Sequence, residues 1–292
     1  MDAVFDASAH IARGKKIRTF KNALLNVLCV ALSMIILLPL YMVFINTFKG
    51  HGDATRMGLD LVGASFRQGF ENYSTVIKDA QVLNGYKNSL IVTVTSSVIL
   101  LVISCMAAYV VVRRGTRAMK TMNGFILSGM VMPGSIPIVY NMYRVLGLTS
   151  GNGGYIAAIM NYCAGVAFPF FLYVGFMKGL SREIDEAAII DGVSPLGLFW
   201  RIIFPLLKPV SATLLIHCFQ SSWNDFIQPL YYMNSPRLYT VVYGMYMYSG
   251  ARTTRWDLLF THFMLVAAPL IIVFLILQRN IVAGLTAGAV KG

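Results

Sequence analysis

Residues 88–112 read Asn88-Ser-Leu-Ile-Val-Thr-Val-Thr-Ser-Ser-Val-Ile-Leu-Leu-Val-Ile-Ser-Cys-Met-Ala-Ala-Tyr-Val-Val-Val112, 25 positions without an Asp, Glu, Lys or Arg, closed by Arg113-Arg114. About 20 apolar residues in helical form cross the hydrocarbon core of a bilayer, so this block is long enough to span one. Five further blocks have the same character: 22–48, 121–143, 155–177, 209–232 (interrupted by Asp225) and 258–278. The expected fold class is all-α, a polytopic transmembrane helical bundle of six spans.

Composition agrees. Of 292 residues 57% are hydrophobic and only 12% charged, with a mean hydropathy of +0.67. Soluble domains carry roughly 25% charged residues, so an ordinary soluble enzyme, a disordered chain and a secreted disulfide scaffold are excluded. Cys29, Cys105, Cys163 and Cys218 fall in separate apolar blocks without CxxC spacing and read as small buried residues. The four His are scattered, with no partner at i+4, and support no metal site.

The net charge of +12 would suggest nucleic acid in a soluble protein. Here it reads as basic residues gathered beside spans on the cytoplasmic side. With the N-terminus inside, segments 1–21, 113–120, 178–208 and 279–292 hold 15 of the 24 Lys and Arg. Both termini are therefore expected in the cytoplasm. The expected organisation is a cytoplasmic N-terminal segment (1–21), a six-span domain (22–278) that includes the inner loop 178–208, and a cytoplasmic tail (279–292). The first apolar block is too long for the core of a signal peptide and no small-residue cleavage site follows it. The basic run Arg13, Lys15, Lys16, Arg18 and Lys21 reads as a topology anchor beside anionic lipid. The outer loop 49–87 carries both charges and Phe66, Phe70 and Tyr73, suiting either the membrane surface or a cap on a transport path.

The inner loop contains Ser181-Arg-Glu-Ile-Asp-Glu-Ala-Ala-Ile-Ile-Asp-Gly192. A serine followed by acids marks a helix start, and Gly192 marks its end. Ile184, Ala187, Ala188 and Asp191 recur at i, i+3, i+4 and i+7, and a second helix is expected from Pro195 towards Pro205. Small residues would let another surface approach closely, and the acids could pair with its basic groups. The simpler reading is an amphipathic connector beneath the spans.

This loop resembles the EAA loop of ABC importer permeases: Glu-Ala-Ala, three residues, Gly, nine residues, Ile, one residue, Leu-Pro. The match is Glu186-Ala187-Ala188, Gly192, Ile202 and Pro205, with Phe204 in place of Leu. The similarity is greatest to the carbohydrate branch, the maltose-permease-like inner-membrane subunits of type I importers. It extends to Phe70-Glu-Asn-Tyr73, Lys87-Asn-Ser-Leu90, Ala107–Arg113, Met132-Pro133, Leu146-Gly147-Leu148, Trp223-Asn-Asp-Phe-Ile-Gln-Pro-Leu230 and the tail 278–292. The resemblance implies that Glu183, Asp185, Glu186, Ala187, Ala188, Asp191, Gly192, Ile202 and Pro205 form a loop coupling the spans to a separate ATPase. It also implies a second homologous permease subunit, two ABC ATPase subunits that bind ATP and magnesium, an extracytoplasmic solute-binding protein, and a place in the bacterial cytoplasmic membrane. No cofactor is expected in this chain and no P-loop occurs in it.

Candidate substrate-path residues are Gln220, Trp223, Asn224, Asp225, Tyr140 and Asn141. A charge at membrane depth normally faces a cavity or partner, and an indole beside amides and a carboxylate suits a polyhydroxyl ligand. Asp225 is equally readable as stabilising a kink before Pro229. Tyr140, Asn141, Tyr143, Asn161 and Tyr162 either line a path or belong to interfacial belts. Pro133, Pro137, Pro169, Pro229 and Pro269 either provide hinges or fit helices into the bundle. The expected function is a permease subunit of an ATP-driven sugar or oligosaccharide importer. Alternatives are a permease for another solute, an ion-coupled secondary transporter, or a membrane enzyme; no matched repeats or convergent catalytic cluster favour the last two.

Overall fold

The computed structural model describes residues 2–132, 136–148, 151–249 and 254–289, and for 2–20, 80, 136, 247 and 277–289 the backbone path alone. The helices are α1 (Asp2–Asn46), α2 (His51–Ala54), α3 (Phe66–Lys78), α4 (Ala80–Arg114), α5 (Arg117–Ser128), α6 (Ile136–Val145), α7 (Gly153–Ala164), α8 (Ala167–Lys178), α9 (Glu183–Ile190), α10 (Pro195–Leu198), α11 (Phe204–Leu206), α12 (Lys208–Trp223), α13 (Ile227–Tyr232), α14 (Val241–Met245) and α15 (Trp256–Ala289). Among the described residues no strand forms, and the all-α expectation holds.

Three stretches are single helices long and apolar enough to cross a membrane: Lys21–Asn46, Gln81–Arg114 and Trp256–Ile276. The expected fourth span is a broken pair, α7 and α8, bent by 43°. The fifth is α12 and, after the break at Asn224-Asp225-Phe226, α13. The third is represented by α5 and α6, with Pro133 between them outside the described residues. Six spans are compatible with this arrangement. The side chains of Arg13, Lys15, Lys16, Arg18 and of the tail 279–292 also lie outside the described residues.

The chain divides into two compact units, 1–74 with 255–264 and 75–254 with 265–292. In the first, the outer loop is held by buried polar side chains. Asn72 Nδ2 donates to the carbonyls of Thr47 (2.8 Å) and Lys49 (3.0 Å), and Asn46 Nδ2 donates to those of Met42 (2.7 Å) and Gly58 (2.9 Å). Lys49 is buried with its ammonium 3.5 Å from Asp60. The Val62 N–H, with a smaller contribution from Lys49, holds the Asp60 carboxyl below its usual range.

In the second unit α4 is the central pillar, and α5, α7, α8, α12 and α14 all pack on it. Leu101, Cys105 and Ala108 of α4 meet Phe170, Tyr173 and Met177 of α8 in one apolar cluster, so Cys105, like Cys218, is the small core residue expected, whereas Cys163 is half-buried and Cys29 is exposed on α1. At the other end of α4, Asn88 Nδ2 donates to the carbonyls of Arg237 and Tyr239, both at 2.9 Å, while its Oδ1 accepts from Tyr155. Ser89 Oγ accepts from Val241 N at 2.9 Å. Gly85 permits this clasp, since a Cβ there would stand 3.0 Å from the Val241 backbone.

The prolines mostly start helices. Pro137, Pro169 and Pro229 lie in the first turns of α6, α8 and α13, where a missing N–H costs nothing. Pro269 lies inside α15 and deprives the Leu265 carbonyl of its helical donor. The Tyr86 hydroxyl donates to that carbonyl instead. Tyr86→Phe should therefore lower stability by about 1–3 kcal/mol, the cost of one orphaned buried carbonyl. In a Pro269→Ala background, where the helical N–H returns, most of that loss should vanish in denaturant unfolding in detergent.

Candidate coupling surface and transport face

The loop after α8 becomes a rigid bracket. Ser181 Oγ accepts from Glu183 N at 3.2 Å and opens α9. At the other end Gly192 N–H donates to Ile189 O and Val193 N–H to Ala188 O, both at 3.0 Å, with Gly192 at φ +75°. These two bonds are the paired closure of a helix that ends on a left-handed residue. Ser194 Oγ then accepts from Gly197 N and caps α10. The Phe204 N–H bonds to Phe199 O, five residues back, so residues 199–203 form a widened π turn. Pro205 follows at once, and the wider turn relieves the clash of its ring with the preceding turn. Beyond Leu207 the chain bends by 77° into α12, so Pro195–Leu206 lies across that span rather than continuing it.

One side of the bracket is locked to the bundle. Ala188 is 4% exposed and packs in the cluster that holds Leu198, Phe199, Ile203 and Leu207 against Val111 and Met177. Arg113, at the end of α4, meets Asp185 at 2.6 Å, with the two side chains 11% and 14% exposed. Its other guanidinium nitrogens donate to the carbonyls of Leu180 and Ser181. The structure thus places Asp185 in an internal ion pair, not on the outward face. Ile202 and Pro205 are half-buried supports.

The other side is open. Glu183, Glu186, Ala187, Asp191 and Gly192 are exposed. So are three apolar residues that the sequence reading passed over: Ile189, Ile190 (85% exposed) and Leu196. For Ile190 the signal was present in the helical period, because at 100° per residue it falls on the side of α9 opposite Asp185 and Ala188; the period singles out neither Ile189 nor Leu196.

The path candidates separate. Trp223 is 1% exposed, stacks on Phe219 and donates its indole N–H to Val266 O, so it leaves no ring face open to a ligand. Asp225 Oδ1 accepts from Ile227 N (2.9 Å) and Gln228 N (3.3 Å), and Oδ2 from the Tyr162 hydroxyl (3.1 Å). It caps α13 after the break, which is the structural one of its two readings. Tyr140 packs against Tyr231 and Tyr232, and Asn141 is exposed on α6. Gln220 and Asn224 are exposed together with His217 and Ser221. The four recur at i, i+3, i+4 and i+7 and form a polar stripe on α12, a period legible in the sequence. Beside it, Ser96, Ser97, Tyr162, His217, Ser221 and Ser222 line a cavity of about 100 Å³. Polar groups at membrane depth face a cavity or a partner rather than lipid.

A model of the binding-protein-dependent transport system inner membrane component family matches residues 101–287. The chain belongs to this family. The permease is 29% identical to the melibiose/raffinose/stachyose import permease protein MelC of Bacillus subtilis (strain 168), over 94% of this chain and 99% of that one. It is 32% identical to the multiple sugar-binding transport system permease protein MsmG of Streptococcus mutans serotype c (strain ATCC 700610 / UA159), over 88% and 93%. Its fold matches a chain of a bacterial ABC transporter involved in the import of the acidic polysaccharide alginate, with a TM-score of 0.76, 22% identity, and 92% and 98% of the two chains covered. The permease is a multi-pass membrane subunit of an ABC importer, as its loop implied.

The two readings of Asp225 predict different variants. Asp225→Ala should cost about 1 kcal/mol through loss of the cap, read as a lowered unfolding midpoint. Asp225→Asn, which keeps an accepting oxygen, should retain both stability and uptake.

Proposed function

We propose that the permease carries a neutral sugar or oligosaccharide inward by alternating access, driven by a separate ATPase that seats on α9 and α10. The observation that carries this reading is the exposed edge of Ile189, Ile190 and Leu196 on a bracket whose opposite side is locked into the bundle. An apolar edge on a charged loop suits a partner that covers it. The exposed Glu183, Glu186 and Asp191 would meet basic groups around that contact, while Ala187 and Gly192 permit close approach.

Motion imposed at α9 would reach α4 through the Asp185–Arg113 pair. It would reach α8 and α12 through Ala188, Phe199 and Ile203. Two such ATPase subunits, which bind ATP and magnesium, would serve this chain and a second, homologous permease. An extracytoplasmic solute-binding protein would deliver the solute. The coupling bracket then lies in the cytoplasm with both termini (1–21 and 279–292), and the spans within 22–278 lie in a bacterial cytoplasmic membrane. The concentration of Lys and Arg in 1–21, 113–120, 178–208 and 279–292 supports this orientation.

Relatives named for melibiose, raffinose and stachyose import and for a multiple sugar-binding transport system support a sugar substrate. So does the stripe of His217, Gln220, Ser221 and Asn224 beside a hydroxyl-lined cavity, with Asp225 committed to its cap. A phosphorylated or strongly anionic solute would call for Arg or Lys along the path. Labelled oligosaccharides, amino acids and phosphate offered to vesicles carrying the assembled importer test the substrate class. Uptake of amino acids or phosphate without sugar overturns it.

Gly192→Asp tests the coupling role. Aspartate tolerates positive φ better than most residues, and a Cβ there meets no atom within 4 Å, so the loop should still fold. The variant should insert normally, yet lose ATPase association by about tenfold or more, about 1.4 kcal/mol. Full association with full transport would show that the ATPase seats elsewhere.

A further inference from the structure

A second cavity, of about 410 Å³, opens at the coupling end of the bundle, away from the polar stripe of α12. Its walls come from the end of α4, from Gly115, from α5, and from the end of α8 with the two turns that follow. Four of its lining residues are cations: Arg113, Lys120, Lys178 and Arg182. No acid lines it. Arg113 is committed to Asp185, whereas Lys120, Lys178 and Arg182 have no ion-pair partner among the described residues. Lys120 comes from α5, and Lys178 and Arg182 from the end of α8 and the turn after it, so the fold brings two separate segments together here. A concave site lined by one sign of charge focuses the potential and raises the local concentration of counter-ions.

The surroundings favour one kind of anion. Val112 and Val174 form apolar wall beside the cations, and Asn123 adds an amide. At the end of a span, apolar wall of this kind suits acyl chains, while Lys and Arg reach the headgroup level. A free inorganic anion would use the cations and leave the apolar strip without a role. A lipid uses both. Basic pockets at this depth between span ends suit anionic headgroups.

We propose that this cavity binds a phosphate-bearing anion, supplied as the headgroup of an anionic phospholipid, with Lys120, Lys178 and Arg182 on the phosphate and the apolar part of the lipid against the wall of Val112 and Val174. The site adjoins Arg113, which ties α9 to α4, so the bound lipid would brace the base of the coupling bracket. Its assignment to the cytoplasmic leaflet rests on the orientation proposed above. The binding itself is read independently of ATPase docking.

The test uses the assembled importer in mild detergent, exchanged with phosphatidylglycerol, phosphatidylcholine or inorganic phosphate, with retained molecules counted by native mass spectrometry. Phosphatidylglycerol should be retained at least tenfold better than phosphatidylcholine. The triple variant Lys120→Gln/Lys178→Gln/Arg182→Gln should lose that preference, while Arg114→Gln/Arg117→Gln, which removes two nearby charges outside the cavity, should keep it. Asn123→Trp, which fills the cavity and leaves every cation in place, should also lose it. ATPase subunits co-purifying with the triple variant would show that the complex is intact. The proposal is overturned if the two lipids are retained equally, if the outside pair matters as much as the triple, or if only inorganic phosphate competes for the cations.

Discussion

Lipid offers a backbone no hydrogen bonds, so wherever a helix breaks or meets a proline at membrane depth, something inside the protein must supply them. The second unit is organised by that requirement. Pro269 orphans the Leu265 carbonyl, and Tyr86 from α4 satisfies it. The break before α13 frees the N–H groups of Ile227 and Gln228, and Asp225 accepts both. The carbonyls of Arg237 and Tyr239, in irregular chain, are taken by one amide, Asn88. The repairs by Tyr86 and Asn88 also tether α4 to distant parts of the sequence, while Asp225, whose repair is local, ties the start of α13 to Tyr162 of α7. Breaks that would weaken an isolated helix thereby fix the bundle, with α4 as the common partner.

The same reasoning divides the coupling end into two functions. Its inward side is over-determined: an ion pair, two donated bonds to carbonyls, a helix closure and an apolar cluster all hold α9 and α10 to α4 and α8. Its outward side makes no such commitments. A bracket that is stiff behind and bare in front passes a displacement at its face to the span ends with little lost to bending. Asp185 and Ala188 serve the stiffness; Glu186, Ala187, Ile189 and Ile190 form the face.

Much of this was legible in the sequence, and the failures share a cause. The apolar blocks, the ends of α9 and the inward Cys105 follow from length, period and end chemistry, which are local properties. Trp223 and Asp185 are conspicuous by residue type, as an aromatic and an acid suited to ligands or partners, and Asp225 carries two readings that its type does not separate. Their roles depend on what stands opposite: Val266 and Phe219, the N–H groups of α13, and Arg113 at the end of α4. A single chain without pairing information does not reveal those neighbours. The stripe of His217, Gln220, Ser221 and Asn224 is the opposite case. Its period is plain in the sequence, but none of its neutral residues is as conspicuous by type as the acid beside them.

Charge is accordingly distributed by what each level of the membrane permits. The exposed stripe of α12 carries amides, a hydroxyl and an imidazole, groups that under the proposed function would exchange hydrogen bonds with a passing solute without binding it tightly. Among the described residues the acid nearby, Asp225, is engaged as a helix cap, its oxygens turned to the N–H groups of Ile227 and Gln228 and to the Tyr162 hydroxyl. Cations instead crowd the coupling end, where Arg113 secures the bracket and Lys120, Lys178 and Arg182 surround a cavity with no counter-charge of its own. Leaving three cations together is costly in a folded chain unless solvent or an anion compensates them. A membrane protein has such anions along its boundary, so the chain can keep its own acids for Arg113 and for the outward face of α9.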